Sequence, residues 1–244
     1  MNTGLFIGVD LGSSIKRKST GIASIVEIHG EPWILARPEH IKSDDTLIHA
    51  IITGMKAGHA PCIVAIDAPL SRPDHGSMRD CERRLRKYGI SCYPSGADWV
   101  SDWVDKGIEL KYWCERTFGA RVIEVYPYAA RRALNIGARV RKKSKKGRQM
   151  IQKGLGDIIR GIDEMAGDTL LSDDELDAIL SAYTAYCVSC GSFRKMDGKD
   201  GTIYIPLKRG LHIINDYQPD GKPVLNRLSQ NKSTLYNCVV DCPN

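Results

Sequence analysis

Leu5-Phe-Ile-Gly-Val-Asp10-Leu-Gly12 and Cys62-Ile-Val-Ala-Ile-Asp67-Ala-Pro69 have the same design: a short, almost wholly apolar run that stops at an aspartate and turns. A continuous apolar run of this length, rich in β-branched residues, predicts a strand buried on both faces, as parallel strands are. Aspartate is common at strand ends because its side chain bonds the turn backbone, so either run alone has an ordinary explanation. Two alike point further. If the strands are parallel neighbours, both carboxylates leave the sheet at its carboxyl edge, where open α/β sheets place their ligands.

Working outward, Gly21 to Ile28 predicts a second strand and Trp33 to Ala36 a third, so the chain opens as an antiparallel meander of three. Leu47, Ile48, Ile51, Ile52 and Met55 fall on one helical face within 46–55. This helix makes the passage to the Asp67 strand a crossover. Helices are expected over 77–88 and 101–118, a fifth strand over Arg121 to Val125, and a long closing helix over Asp174 to Val188. The order is that of an α/β fold: a mixed five-stranded sheet, a three-strand meander followed by parallel crossover strands, flanked by helices and carrying helical insertions.

The chain has 244 residues, 42% hydrophobic and 26% charged, with no Pro/Gly/Ser-rich linker, which favours a single domain over 1–244. Residues 208–244 form a C-terminal tail of no assigned role. No stretch approaches the roughly 20 apolar residues of a membrane helix, and the first ten residues lack the basic region of a signal peptide. A cytoplasmic protein with no membrane association and free thiols is therefore expected. Cys187 with Cys190, and Cys238 with Cys242, loosely resemble zinc-ligand spacing, but Cys187 and Cys190 fall at a helix end, where free cysteine packs as a small hydrophobe.

Charge is unevenly spread. Between Glu124 and Asp157 there are ten basic residues and no acidic one, against a net charge of +6, so the remainder of the chain stands at −4. This basic insertion, about 131–153, includes Lys142, Lys143, Lys145, Lys146 and Arg148, and suggests a polyanion, nucleic acid above all, as partner. A solvated run with no ligand is the plainer alternative. Arg79, Arg83 and Arg86 share a helical face after Asp67 and make a second candidate phosphate contact, although such stripes are often only solvated.

The third acidic element is Ser172-Asp-Asp-Glu-Leu-Asp177-Ala. Ser172 or Asp173 can cap the closing helix, and acidic residues in a first turn complement its dipole. Asp177 lies deeper, before Ala178, Ile179 and Leu180, and a lone buried carboxylate is costly unless something pairs with it. Asp174, three residues earlier, shares its face. Carboxylates held together repel, and a divalent cation relieves that. Oxygen ligands without histidine favour Mg2+ or Mn2+ over zinc. The candidate catalytic set is Asp10, Asp67, Asp174 and Asp177, with Glu124 at the end of the fifth strand as a further carboxylate if strand alternation turns it the right way.

Gly8-Val-Asp10 followed by Gly21-Ile-Ala, then Ala65-Ile-Asp67-Ala-Pro69, Arg79-Asp-Cys-Glu82-Arg83, Glu124-Val-Tyr-Pro127, Asp174-Glu-Leu-Asp177-Ala and Ile203-Tyr-Ile-Pro206 together resemble domain-of-unknown-function family 429, over about residues 5–207. That family is described as predicted nucleases of ribonuclease-H-like fold. The Asp-x-x-Asp-Ala of the last helix is also similar to that of Holliday-junction resolvases of the same superfold. The resemblance implies phosphodiester hydrolysis with Asp10, Asp67, Asp174 and Asp177 as the metal set. Two alternatives stay open. A non-catalytic nucleic-acid-binding module would use only the basic run. Phe6 to Ser14 also resembles the first phosphate loop of the actin, Hsp70 and sugar-kinase group, although no second such loop follows an apolar strand. The sequence leaves the oligomeric state open, a homodimer included.

Overall fold

The structure, a computed structural model, describes residues 4–12, 19–42, 45–57, 62–138 and 140–208. The chain divides into two units, Met1–His212 and Ile213–Asn244, and every described residue lies in the first. Ser13, Ser14, Cys238, Cys242 and nearly all of the tail lie outside the described residues. Among the described residues no helix is long and apolar enough to cross a membrane.

Among the described residues eight strands form one sheet: β1 (Leu5–Asp10), β2 (Ser19–Ile28), β3 (Glu31–Ile34), β4 (Glu39–Lys42), β5 (Cys62–Asp67), β6 (Arg121–Val125), β7 (Phe193–Gly198) and β8 (Gly201–Pro206). Their order is β3-β2-β1-β5-β6-β8-β7, with β4 also pairing β2. β1 runs antiparallel to β2 and parallel to β5; β5, β6 and β8 continue in parallel, and β7 closes the edge antiparallel. This is a mixed α/β arrangement, a meander followed by crossovers. The five expected strands are present, and β4, β7 and β8 extend them. β2 is long enough to pair β3 with one half and β4 with the other.

Among the described residues seven α-helices accompany the sheet: α1 (Asp45–Lys56), α2 (Asp80–Lys87), α3 (Ser101–Phe118), α4 (Pro127–Leu134), α5 (Lys145–Gly156), α6 (Ile162–Ala166) and α7 (Asp173–Ser189). Local chemistry sets several ends. α3 buries Val104, Gly107, Leu110 and Cys114 along one face and stops at Gly119, which takes the left-handed conformation that glycine adopts without steric cost. α4 begins with Pro127, whose missing N–H is not needed there. α7 begins with a reciprocal capping box between Ser172 and Glu175.

The pleat separates two cores. Leu5, Ile7 and Val9 of β1, with Cys62, Val64 and Ile66 of β5, pack against Ile48 and Ile52 of α1 and Leu110 and Cys114 of α3. Phe6 and Ala65 point the other way, into the core built on α7. Period-two alternation therefore puts the even positions of β1 and the odd positions of β5 toward α7. α7 is buried from Asp174 to Val188, as a helix apolar on all sides must be.

Candidate active site

Asp10 and Asp67 close β1 and β5, and the parallel register pairs them directly: Leu5 with Cys62 at one end, Asp10 with Asp67 at the other. By the alternation above, both are in phase with the α7 side of the sheet. The two sequence runs thus deliver two carboxylates side by side at the carboxyl edge.

The third arrives because α7 lies unusually close. A Cβ on Gly8 would stand 2.1 Å from the Ala178 carbonyl oxygen and 2.2 Å from the Ala182 amide nitrogen; one on Gly21 would stand 2.3 Å from the Asp174 oxygen. Only glycine lets strand and helix backbones approach so far. Asp177, one residue before the contact at Ala178, reaches the edge where Asp10 sits.

Asp10, Asp67 and Asp177 line one open pocket of about 840 Å³, together with Lys142, Lys143 and Arg131. Asp10 is 9% exposed, and its buried Oδ2 has no hydrogen-bond partner among the described residues. Burial, then the charges of Asp177 and Asp67, holds its pKa well above the ordinary carboxylate range. Asp177 is likewise raised, by burial first, although Lys142 and Arg131 pull the other way. The Lys142 ammonium donates to Asp177 Oδ2. Burial disfavours that ammonium, but the attraction of Asp177 and Asp10 outweighs it and its pKa stands above normal.

Asp174 is not among the residues lining the pocket. Its Oδ2 accepts from Ser19 Oγ at 2.6 Å and lies 3.2 Å from His40 Nε2, which ties the first turn of α7 to β2 and β4. Glu124 departs further from its expected role. β6 registers it beside Ile66, in the opposite pleat phase to Asp67. Its carboxylate receives Arg79 Nη1 at 2.7 Å, Arg79 Nη2 at 2.5 Å and the Leu70 amide at 2.8 Å. Glu124 borders the pocket, but its acceptors are engaged in a buried ion pair.

Arg79 must be corrected with it. It borders the pocket but is 1% exposed, precedes α2 as its N-cap, and also binds Glu82 at 2.9 Å, so it is an internal strut. Its Nη1 donates to Ser71 Oγ, and the Leu70 amide is held by Glu124, so the network fixes the chain that leaves Asp67. Arg83 and Arg86 are exposed on α2 and do not line the pocket; Arg83 pairs with Asp80 at 2.5 Å. Arg83 and Arg86 alone make a solvated face of α2.

The basic run is split. Lys142 and Lys143 turn into the pocket, Lys145 and Lys146 stand exposed in the first turn of α5, and Arg148 leans on the Leu171 carbonyl at 3.4 Å. Lys142 inside the carboxylate group has no sequence signature. Gly8 does have one: a glycine interrupting a strand marks close backbone approach. Cys187 is buried and Cys190 exposed, both as free thiols.

The donor set suits a hard divalent cation. It consists of carboxylate oxygens alone, one of them buried and unpartnered, and if all ionise the three aspartates exceed Lys142 by two negative charges. In their present rotamers, no three Asp, Glu, His or Cys side chains among the described residues enclose a cation; against Asp177 the Lys142 ammonium takes that part.

Comparison with known proteins gives three findings. No curated protein matches the sequence. The similar solved structures include T. thermophilus RuvC in complex with Holliday junction substrate, at TM-score 0.46 and 13% identity, and a Thermus thermophilus RuvC structure, at 0.44 and 16%. Each covers 77% of this chain and 96% of the other. Residues 108–201 match the family described as protein of unknown function, DUF429, so the chain's resemblance to domain-of-unknown-function family 429 is shown across that span.

Proposed function

We propose that this protein is a divalent-metal-dependent nuclease that hydrolyses phosphodiester bonds. The observation that carries this reading is the junction of Asp10 and Asp67, in register on parallel strands, with Asp177 of α7 in one pocket. Asp10, Asp67 and Asp177 would hold Mg2+ or Mn2+. The metal, when bound, supplies charge neutralisation for an attacking water and for the leaving oxygen.

The chain's own residues do the rest. Asp10, whose pKa is raised by burial first and then by Asp177 and Asp67, would hold the cation as a carboxylate, with the cation's charge offsetting both. Lys142, which pairs with Asp177 in the same pocket, would be available to a phosphate oxygen there. Asp174, held by Ser19 and His40, anchors the turn of α7 that presents Asp177. Lys145 and Lys146 oppose the dipole at the start of α5, a cost that a bound phosphate relieves.

The test compares wild type with Asp10→Asn on single-stranded, duplex and branched DNA and RNA, with Mg2+, Mn2+ or chelator. Cleavage should require the metal and fall by orders of magnitude in the variant, since metal activation of water and leaving group is worth several kcal/mol. Equal activity in the two proteins, or activity that survives chelation, defeats the proposal. Metal-insensitive binding without cleavage on every substrate would select the non-catalytic module.

A further inference from the structure

The pocket that holds the aspartates has an aromatic wall: Tyr93, Trp99, Trp103, Tyr126 and Tyr128 all line it. Aromatic residues make up only 7% of the chain, so five in one pocket is a marked concentration. Tyr93 is 64% and Trp99 55% exposed, large rings that folding leaves in water. They meet edge to face with centroids 5.0 Å apart.

The backbone that carries them is pinned. The Ser95 amide donates to the buried Glu82 carboxylate at 3.3 Å, the Gly96 amide donates to the Ser77 carbonyl at 2.9 Å, and Val100, next to Trp99, is buried. Trp103 donates its indole N–H to the Leu11 carbonyl at 2.9 Å, so one ring stands directly beside the exit of Asp10 from β1. On the same pocket, Arg131 is buried, lies over the Tyr128 ring at 5.8 Å from its centroid, and has no hydrogen-bond partner for its Nε among the described residues. Planar hydrophobic faces, a guanidinium with an unmade bond and a carboxylate group at the inner end are the complement of a planar ring carrying a phosphate.

We propose that this aromatic wall receives an unpaired nucleobase next to the phosphate at Asp10, Asp67 and Asp177, so that the substrate is a nucleic acid with a single-stranded or extruded nucleotide and not continuous duplex. The proposal rests on the nuclease reading and specifies its substrate. In a duplex the faces of the bases are covered by their neighbours, and only edges and backbone are offered to a protein. Exposed rings gain from stacking only where a base has left the stack. The pocket volume lies in the range of small-ligand sites, enough for a nucleotide and too confined for a base pair with its stacked neighbours.

The experiment uses full-length protein carrying Asp10→Asn, so that nothing is cleaved, with and without the added pair Tyr93→Ala and Trp99→Ala. Binding of labelled oligothymidylate, a blunt duplex and the same duplex with one extruded thymidine is read by anisotropy, tryptophan quenching and thermal unfolding alongside. Oligothymidylate and the extruded duplex should bind roughly tenfold or more tighter than the blunt duplex, as stacking of one base warrants. The aromatic pair variant should lose that margin, keep its blunt-duplex affinity and unfold as its parent does. Trp99→Phe should recover most of the margin.

Equal affinity for all three ligands, or a margin untouched by the double substitution, overturns the aromatic subsite and leaves the nuclease reading standing. Thymidine monophosphate that quenches tryptophan at the same concentration as oligothymidylate overturns a polymeric substrate. Failure of a folded protein to bind any of the nucleic acids overturns the nuclease reading together with the subsite.

Discussion

Lys142, 35 residues from Asp177 in sequence, donates to its carboxylate and so places a protein cation where the acidic group would otherwise attract a metal. Lys142→Met should therefore tighten Mn2+ binding, by about tenfold if 1.4 kcal/mol of competition is removed. Without metal the same variant should be destabilised, because breaking a largely buried pair strands Asp177, at a cost of about 3 kcal/mol or somewhat less given the partial exposure of Lys142. Calorimetric titration with Mn2+ and denaturant unfolding check both halves. Unchanged affinity would mean that Lys142 and the cation do not compete.

Asp10 carries a folded-state pKa raised by burial and by Asp177 and Asp67. The folded protein then holds a proton that the unfolded chain releases near pH 4, so Asp10 supports folding below that point and the support is lost as pH rises through its folded value. Near neutral pH, where the unfolded chain has released this proton, Asp10 is a burden on the metal-free protein. Asp10→Asn should accordingly melt higher than wild type at pH 7 in chelator, and the gap should close toward pH 4. Adding Mn2+ should stabilise the wild type far more than the variant. A gap that does not depend on pH would assign the gain to something other than ionisation.

Gly8→Ala should be among the most damaging conservative changes in the protein, since the added carbon meets backbone atoms of α7 that no side-chain rotation can clear. Overpacking of this kind costs about 1–3 kcal/mol and occasionally more, and here it also lifts Asp177 from Asp10. Gly54→Ala, in the last turn of α1 with nothing within 4 Å of the new carbon, should instead stabilise, by at most about 0.5–1 kcal/mol. Urea unfolding of the two variants supplies the comparison. Equal and small effects would show that α7 can move away from β1 at little cost.

Much of this was legible in the sequence because it depends on short-range pattern. The apolar runs ending at Asp10 and Asp67 specify strand, burial and edge, and their parallel pairing follows from the intervening helix. The bounds of α3 and β6 are those expected from residues 101–118 and 121–125. What was hidden depends on phase and on distant partners. Glu124 is one residue out of phase with Ile123 and Val125, and that single step sends it to Arg79 and away from Asp67. Arg79 looked like part of a helical stripe, but it precedes α2 as its cap, where its side chain turns inward. Lys142 joins the carboxylates only through the tertiary course of the chain between α4 and α5.

That division of the basic residues yields the last prediction. Arg79 and the exposed lysines should fail in different ways when neutralised. Arg79→Met leaves Glu124 buried with its Leu70 contact but without a cation, and loss of one partner from a buried pair costs about 3–5 kcal/mol. Arg79→Lys should rescue little, because an ammonium cannot span Glu82 and Glu124 as the forked guanidinium does. Neither change should alter the salt dependence of nucleic-acid binding in whatever fraction still folds. Replacing Lys143, Lys145 and Lys146 with glutamine, leaving Lys142 in place, should do the reverse. Stability should hold, since all three are exposed, while each lost phosphate contact flattens the log-log salt slope by about 0.7 for single strands and 0.9 for duplex. Affinity measured across a salt series, beside unfolding curves for the same proteins, separates the two behaviours. A triple variant with the parental slope would mean that these lysines touch no phosphate, and an Arg79→Met protein of normal stability with a reduced slope would return Arg79 to the nucleic-acid surface.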